Sequence, residues 1–437
     1  MSHSDVSCPP GGSCVCPPVF LAPCADYEAD TVQAALSGLL SAMGGLDFVT
    51  PGMTVGIKAN LVSAMKPEEA ATTHPALLCA LVTLLKQRGA GRILIGDSPG
   101  GLYTAGYVNH IYDVTGLSDT VAAGAELNQN FGTTETAFPE AKVLKSFTYT
   151  AWLDACDAII DFCKLKSHGM MGMSAAAKNM FGVIPGTMKP EYHFRFPQMP
   201  DFAAMLVDIN DYFADRVRLC LVDAVEGMEG NGPTKGTPRH IGLLLASTSP
   251  HCVDAVCAHI IGLGVEEVPT LLCARERGRI PAEPGDIPLC LLDMSGHTAS
   301  AVADTTESSG HGWPRELEAM VIRDFKNVAV RHSLLFSSRG KLTGALLKGL
   351  LSSRPKLKAA ECVGCGKCAA VCPAKAITIQ GKQSAGEGKA VRHGKAACQG
   401  KAVINRDACI RCFCCQEFCP VGAMKVHRTW IARLITK

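Results

Sequence analysis

Cys362-Val363-Gly364-Cys365-Gly366-Lys367-Cys368-Ala369-Ala370-Val371-Cys372-Pro373 and Cys409-Ile410-Arg411-Cys412-Phe413-Cys414-Cys415-Gln416-Glu417-Phe418-Cys419-Pro420 share one spacing, C-x2-C-x2-C-x3-C-P. Three thiolates on a tight loop grip one cubane iron–sulfur cluster, and the fourth, set on the helix expected to follow, reaches another. The spacing therefore predicts two [4Fe–4S] clusters. One takes Cys362, Cys365, Cys368 and Cys419; the other takes Cys409, Cys412, Cys415 and Cys372. Structural zinc is the competing reading, since paired C-x2-C sites also bind it. Zinc does not ask for a third and fourth cysteine plus proline, twice over. Cys398 and Cys414 are surplus; Cys414 stands beside Cys415, and spacing favours Cys415 as the ligand.

A short apolar or alternating segment follows each run, Ala376 to Ile379 and Ala423 to Val426, as a small strand would. The stretch 356–428 resembles the bacterial two-cluster ferredoxin module, which implies a small α+β fold. A Gly/Lys-rich insert, Gly381 to Lys401, separates the halves and reads as a solvated loop. Ten of the 22 cysteines lie beyond Glu361. Cysteine at this density points to metal binding more than to disulfides. The other twelve are scattered, many in apolar stretches (Cys79, Cys156, Cys220, Cys257), and read as small buried hydrophobes.

The whole chain has 437 residues, 47% of them hydrophobic and 19% charged, which describes a globular protein of roughly three domain-sized units, or equally of one large α/β domain plus a small module. Its net charge of +2 conceals a division: 26 basic against 36 acidic residues up to residue 353, and 16 against 4 beyond it. A basic module of this kind suits an acidic redox partner or docking on an acidic domain. Nucleic acid is not expected, because aromatic residues are 6% and none interleave with the lysines. No apolar run reaches 18 residues, so no spanning helix is expected. Met1 to Pro18 lacks a basic start and an apolar stretch, so a secretory leader is not expected and the cytoplasm is the default.

Upstream of the cysteine runs, short apolar runs alternate with helical patterns. Val55-Gly56-Ile57, Ile93-Leu94-Ile95, Ala158-Ile159-Ile160 and Leu219-Cys220-Leu221-Val222 read as buried strands. Thr31 to Met43, Pro75 to Arg88 and Ser249 to Ile261 read as helices, with Pro75 in a first turn and Gly89 past a last basic residue. The pattern predicts an α/β domain with a largely parallel sheet. Ser300 to Trp313 reads as a linker. The expected division is an N-terminal extension (1–18), an α/β ligand-binding domain (19–299), a linker and helical connector (300–355) and the two-cluster module (356–437).

Six segments, Lys58-Ala59-Asn60-Leu61-Val62, Thr73-His74-Pro75, Gly96-Asp97-Ser98-Pro99-Gly100, Lys164-Leu165-Lys166-Ser167-His168, Lys178-Asn179-Met180-Phe181-Gly182 and Glu229-Gly230-Asn231-Gly232-Pro233-Thr234, appear in this order. In that order residues 19–295 resemble an iron–sulfur-associated family, domain of unknown function 362, often joined to a ferredoxin module. The resemblance implies an iron–sulfur protein and brings no reaction with it.

Four expected strands end in polar groups: Lys58 and Asn60; Asp97 and Ser98; Lys164, Lys166 and His168; Asp223 and Glu226. Ligands bind beyond the carboxyl ends of strands in open α/β sheets, so these groups are expected to share a crevice. Lys58, Asn60, Asp97, Lys164, Lys178 and Asn179 would hold a phosphate or carboxylate there. Lys166 and His168 are the candidates for catalysis, with His168 the proton donor. The plain alternative is that each charge sits solvated at a strand end. His74, His168 and His193 each also read as structural histidines. Asp223, Glu226 and Glu229 read as an acidic, Gly-rich loop. No phosphate loop is present, since no Gly-Lys pair precedes Ser or Thr, and Gly230-x-Gly232 lacks the third glycine of a dinucleotide fingerprint. A flavin stays open as a cofactor without them.

These features predict an iron–sulfur electron-transfer protein or oxidoreductase that passes single electrons through two clusters to an anionic ligand in the α/β domain. A maturation or assembly factor with structural clusters is the alternative, and a plain electron carrier whose large domain recognises partners is a third.

Overall fold

The computed structural model describes residues 16–293, 298–302, 312–327, 354–381 and 400–427. The chain divides into two compact units, residues 1–189 with 199–329, and residues 190–198 with 330–437. Cys398 lies outside the described residues.

The strands of the first unit are β1 (Val19–Pro23), β2 (Thr54–Lys58), β3 (Arg92–Gly96), β4 (Glu126–Leu127), β5 (Thr133–Ala137), β6 (Ser146–Thr150), β7 (Ala158–His168), β8 (Gly172–Ser174), β9 (Val217–Glu229), β10 (Thr237–Ser247), β11 (Leu289–Leu292) and β12 (Thr298–Val302). Its helices are α1 (Ala29–Ala42), α2 (Pro75–Gln87), α3 (Ala105–Val114), α4 (Ala176–Asn179), α5 (Lys189–Arg195, which passes into the second unit at Pro190), α6 (Met199–Phe213), α7 (Pro250–Ile260), α8 (Pro269–Glu276) and α9 (Arg315–Ala319). The main sheet runs β12-β11-β1-β10-β9-β7-β2-β3-β4, with β8 paired to β7. Its centre is parallel, from β9 through β7, β2 and β3 to β4. β1 and β11 are also parallel, while β10, β12 and β8 pair antiparallel. The sheet is thus mixed and mostly parallel.

Alternating side chains feed two separate cores. Ile160, Phe162, Leu219 and Leu221 join α1, α2 and α3 in one; Cys163, Leu165, Cys220 and Val222 join α4, α7 and α8 in the other. Strands covered on both faces read as continuous apolar runs, which is why β2, β3 and β7 stand out in the sequence. The helix boundaries follow local chemistry. His74 caps α2 by accepting the Ala76 N–H on Nδ1, with Pro75 at the first helical position, and Ser249 caps α7.

β7 is much longer than its apolar core suggests. It pairs with β2 only from Ala158 to Asp161, then continues along β9 and β8 to His168. β9 likewise runs on to Glu229, so Asp223, Glu226 and Glu229 lie on a strand and not in the loop expected of them. Ser300 to Val302 belong to β12, so the polar stretch there begins inside the sheet.

The second unit contains β13 (Arg354–Leu357), α10 (Lys367–Ala370), β14 (Ile377–Gln380), β15 (Lys401–Ile404), α11 (Cys414–Glu417) and β16 (Met424–His427). β13 pairs with β16 and β14 with β15, both antiparallel. Each cysteine run folds as a loop, one helical turn and a strand. The third cysteine of each run sits in the helical turn, and the fourth lies past its end instead of on it. The proline after Cys372 and after Cys419 disfavours helical backbone at the residue before it, which explains the early stop. Among the described residues no helix is long and apolar enough to cross a membrane.

Candidate functional site

From β2 the chain crosses through α2 to β3 on one side, and β7 lies on the other side of β2. The strand order therefore reverses between β2 and β7, the place where an open α/β sheet leaves a crevice at its carboxyl edge. Lys58 ends β2 directly opposite Asp161 on β7, and β7 carries Lys164 and Lys166 past that point.

Solvated strand ends do not describe these groups. Lys58, Asp97, Lys164, Lys166, His168 and Asn179 are each at most 3% exposed. Lys58 pairs with Asp97 at 2.7 Å and donates to the Ala59 carbonyl at 2.8 Å. Asp97 in turn accepts the Leu61 and Ser98 backbone N–H groups, each at 2.8 Å. Lys166 donates to Asn60 Oδ1 at 2.5 Å and to the Ala71 carbonyl at 2.6 Å. Asn60 Nδ2 donates to Asn179 Oδ1 at 2.8 Å, and Asn179 Nδ2 donates to Asp161 Oδ1 at 2.6 Å. Five of the residues expected to share a crevice, Lys58, Asn60, Asp97, Lys166 and Asn179, thus form one hydrogen-bonded network. Gly182 packs against it so closely that an added Cβ would run into Asp97 Oδ1 and the Lys58 ammonium.

Lys164 belongs to an adjoining group. Its Nζ bonds Asp223 Oδ2 at 2.8 Å and Tyr27 OH at 2.6 Å, and Tyr27 OH donates to Asp223 Oδ1 at 2.8 Å. His74 stacks on the Tyr27 ring with centroids 3.6 Å apart, and burial lowers its pKa to about 4. His168 Nδ1 accepts the N–H groups of Met170 and Met171, each at 3.1 Å, at the turn into β8. Lys178 is half-buried on α4. Burial, and then the charges of Lys178 and Lys164, bring the Lys166 ammonium down to about 7. Burial raises Asp161 to about 7 against the pull of Lys58.

Two members escaped the sequence reading. Asp161 interrupts an otherwise apolar run, Ala158 to Cys163, and a carboxyl in a buried strand was a readable signal. Tyr27 lies far from every motif, and nothing in the sequence marked it.

In the second unit a hollow is lined by Cys362, Cys365, Cys368 and Cys419, with Val363, Ile379, Val421 and Met424 among its apolar walls. Burial, and after it the charges of Cys365, Cys419 and Cys362, raise the Cys368 thiol. Cys409 responds in the same way to burial and then to Cys412 and Cys372, and Cys415 to burial and then to Cys412, Cys409, Cys368 and Cys372. Cys414 is buried.

The two loops also share their backbone. Left-handed residues fall at Gly364 and Arg411, at Gly366 and Phe413, and at Lys375 and Gly422, matching positions of the two runs. The Ala376 N–H donates to Cys372 Sγ and the Ala423 N–H to Cys419 Sγ, each at 3.2 Å. Thiols around a hollow, with backbone donors aimed at sulfur, fit a cubane cluster.

Residues 55–259 match the family model described as Domain of unknown function (DUF362), and residues 361–423 match that of the 4Fe-4S dicluster domain. A thylakoid-associated protein of Synechocystis is 31% identical over 258 residues, which cover 58% of this chain and 78% of the relative. The chain belongs to the DUF362 family. It joins the DUF362 domain to a dicluster ferredoxin-type domain, whose chemistry is iron–sulfur electron transfer. The dicluster part is also 39% identical over 79 residues to NADH-quinone oxidoreductase subunit I 2 of Geobacter metallireducens, covering 18% of this chain and 54% of that one. Two solved structures give weaker likenesses, each at 12% identity. A Thermotoga maritima protein has a TM-score of 0.31 over 48% of this chain and 53% of its own. The lactate racemase apoprotein of Thermoanaerobacterium thermosaccharolyticum has 0.32 over 51% and 54%.

Proposed function

We propose that this DUF362 protein is an iron–sulfur electron-transfer protein or oxidoreductase in which two [4Fe–4S] clusters pass single electrons to an anionic ligand at the carboxyl ends of β2 and β7. The hollow that draws cysteines from both runs carries this reading. Cys362, Cys365, Cys368 and Cys419 would hold one cluster, and Cys409, Cys412, Cys415 and Cys372 the other. When bound, the clusters supply one-electron steps at potentials set by hydrogen bonds to sulfur and by exposure.

In the first unit Lys58 and Lys164 already face carboxylates, whereas Lys166 donates to the neutral oxygens of Asn60 and Ala71. Lys166 is therefore the cation to which an anion adds most. Lys178 supports it with a second charge. The excess of basic residues beyond residue 353 suits an acidic redox partner. The self-satisfied ion pairs of Lys58 and Lys164 are what a rigid scaffold would also show, so an assembly factor with structural clusters is the second reading.

Anaerobically purified protein is expected to hold about eight iron and eight sulfide per chain. Cys372→Ser should damage the cluster built mainly by the second run. Stoichiometric zinc without sulfide would overturn the cluster assignment, and clusters that no reductant reduces would favour the scaffold. Phosphate or a carboxylate should raise the melting temperature of wild type but not of Lys166→Ala, because a ligand that binds only the native state stabilises it by mass action.

A further inference from the structure

We infer that Asp161 is the positioning residue for Lys166, acting through Asn179 and Asn60 in a one-way chain of hydrogen bonds around the carboxyl end of β2. The links are Lys166 Nζ to Asn60 Oδ1 (2.5 Å), Asn60 Nδ2 to Asn179 Oδ1 (2.8 Å) and Asn179 Nδ2 to Asp161 Oδ1 (2.6 Å). Both ends dictate the direction. An ammonium group only donates, and Asp161 Oδ1 accepts whether Oδ2 is ionised or carries a proton. Turning over either amide would set donor against donor at one link and acceptor against acceptor at another.

Lys58 reinforces the same orientation. Its carbonyl accepts from Asn179 Nδ2 at 3.2 Å and its ammonium reaches Asn179 Oδ1 at 3.4 Å. Amides aligned head to tail in a dry site polarise one another, so each link strengthens the next.

Stability alone does not account for Asp161. It is fully buried, and Oδ2 has no hydrogen-bond partner among the described residues. A carboxyl left half-satisfied in a strand core carries an unreturned desolvation cost. What Asp161 supplies is a fixed acceptor that decides which atom Asn60 presents to Lys166. With the Ala71 carbonyl as the second anchor, that choice fixes where the ammonium group sits at the end of β2.

The test uses the full chain with its clusters. Asp161→Asn keeps an acceptor oxygen and imitates the neutral acid; Asp161→Val removes it. Nitrogen-15 NMR of lysine-labelled protein, on the acid side of neutrality, reads the Lys166 ammonium directly, its signal assigned by loss in Lys166→Ala. Asp161→Asn is expected to keep that signal and wild-type affinity for phosphate, read from the melting shift. Asp161→Val is expected to lose the signal to exchange with water and to bind phosphate about tenfold more weakly, the order expected for one hydrogen bond to a charged group. Should Asp161→Val fail to fold, Asn179→Ala breaks the same chain one link nearer. A wild-type Lys166 signal in the folded Val or Ala variant, or its loss in Asp161→Asn, overturns the inference. The phosphate arm rests on the anion reading proposed above. If phosphate fails to shift wild type, that reading falls while the NMR arm still decides the role of Asp161.

Discussion

Burial raises the Asp161 carboxyl to about 7 and lowers the Lys166 ammonium to about 7, so the two groups leave opposite marks on stability. Asp161 in the unfolded chain releases its proton near pH 3.9, well before the native state does. The native state then binds more protons than the unfolded chain between about pH 4 and 7, and its stability falls as pH rises through that window. Asp161→Asn removes the effect. Its melting temperature should draw ahead of wild type from about pH 4 to 7 and keep a constant lead above it. Lys166 works the other way, because the unfolded ammonium titrates near 10.4. Wild type should gain stability from about pH 7 to 10, and Lys166→Met should not. Thermal melts followed by circular dichroism across pH test both; parallel curves for wild type and variant would contradict the assigned burial. At this scale the sequence was a partial guide. It marked Lys58, Asn60 and Lys166 by their places at strand ends, and Asn179 by the segment Lys178 to Gly182. Their mutual bonds join segments more than a hundred residues apart, and only the folded sheet brings those together.

At the scale of elements, the cysteine loops were legible because a ligand set is written in local spacing, and the central strands because both their faces are covered. The ends of β7 and β9 were not. Lys164, Lys166 and His168 look like the close of a strand, yet pairing with β9 and β8, which is tertiary, carries β7 through them. The repeated loop backbone offers a direct test of local strain. Arg411 and Lys375 are exposed residues in the left-handed region, where the matching positions of the other run hold Gly364 and Gly422. A side chain there costs roughly 1 kcal/mol. Arg411→Gly should therefore stabilise the second unit by about 0.5–1 kcal/mol, read as a higher denaturant midpoint for loss of cluster absorbance. Phe413→Gly should do the reverse, because its ring is buried and truncating such a ring costs about 3 kcal/mol or more. A destabilised Arg411→Gly would mean that the arginine side chain makes a contribution larger than the strain.

For the molecule as a whole, charge is the property that composition revealed and no single residue carries. If the basic excess beyond residue 353 guides an acidic partner, electron-transfer rates should fall as salt rises from low to about 0.1 M, where exposed charges are screened over roughly 10 Å. Stopped-flow reduction measured over a salt series reads this, and rates indifferent to salt with every acidic carrier would remove the steering role. The hollow walled by Cys362, Cys365, Cys368 and the distant Cys419 has one more consequence, on the proposed ligation. Neither run can complete a cage alone, so whichever cubane arrives first stitches the halves together and spares the other that entropy of closure. Filling would be cooperative. In a sample starved of iron, a mean of four atoms per chain would then describe almost no actual molecule, but a mixture of complete and empty ones.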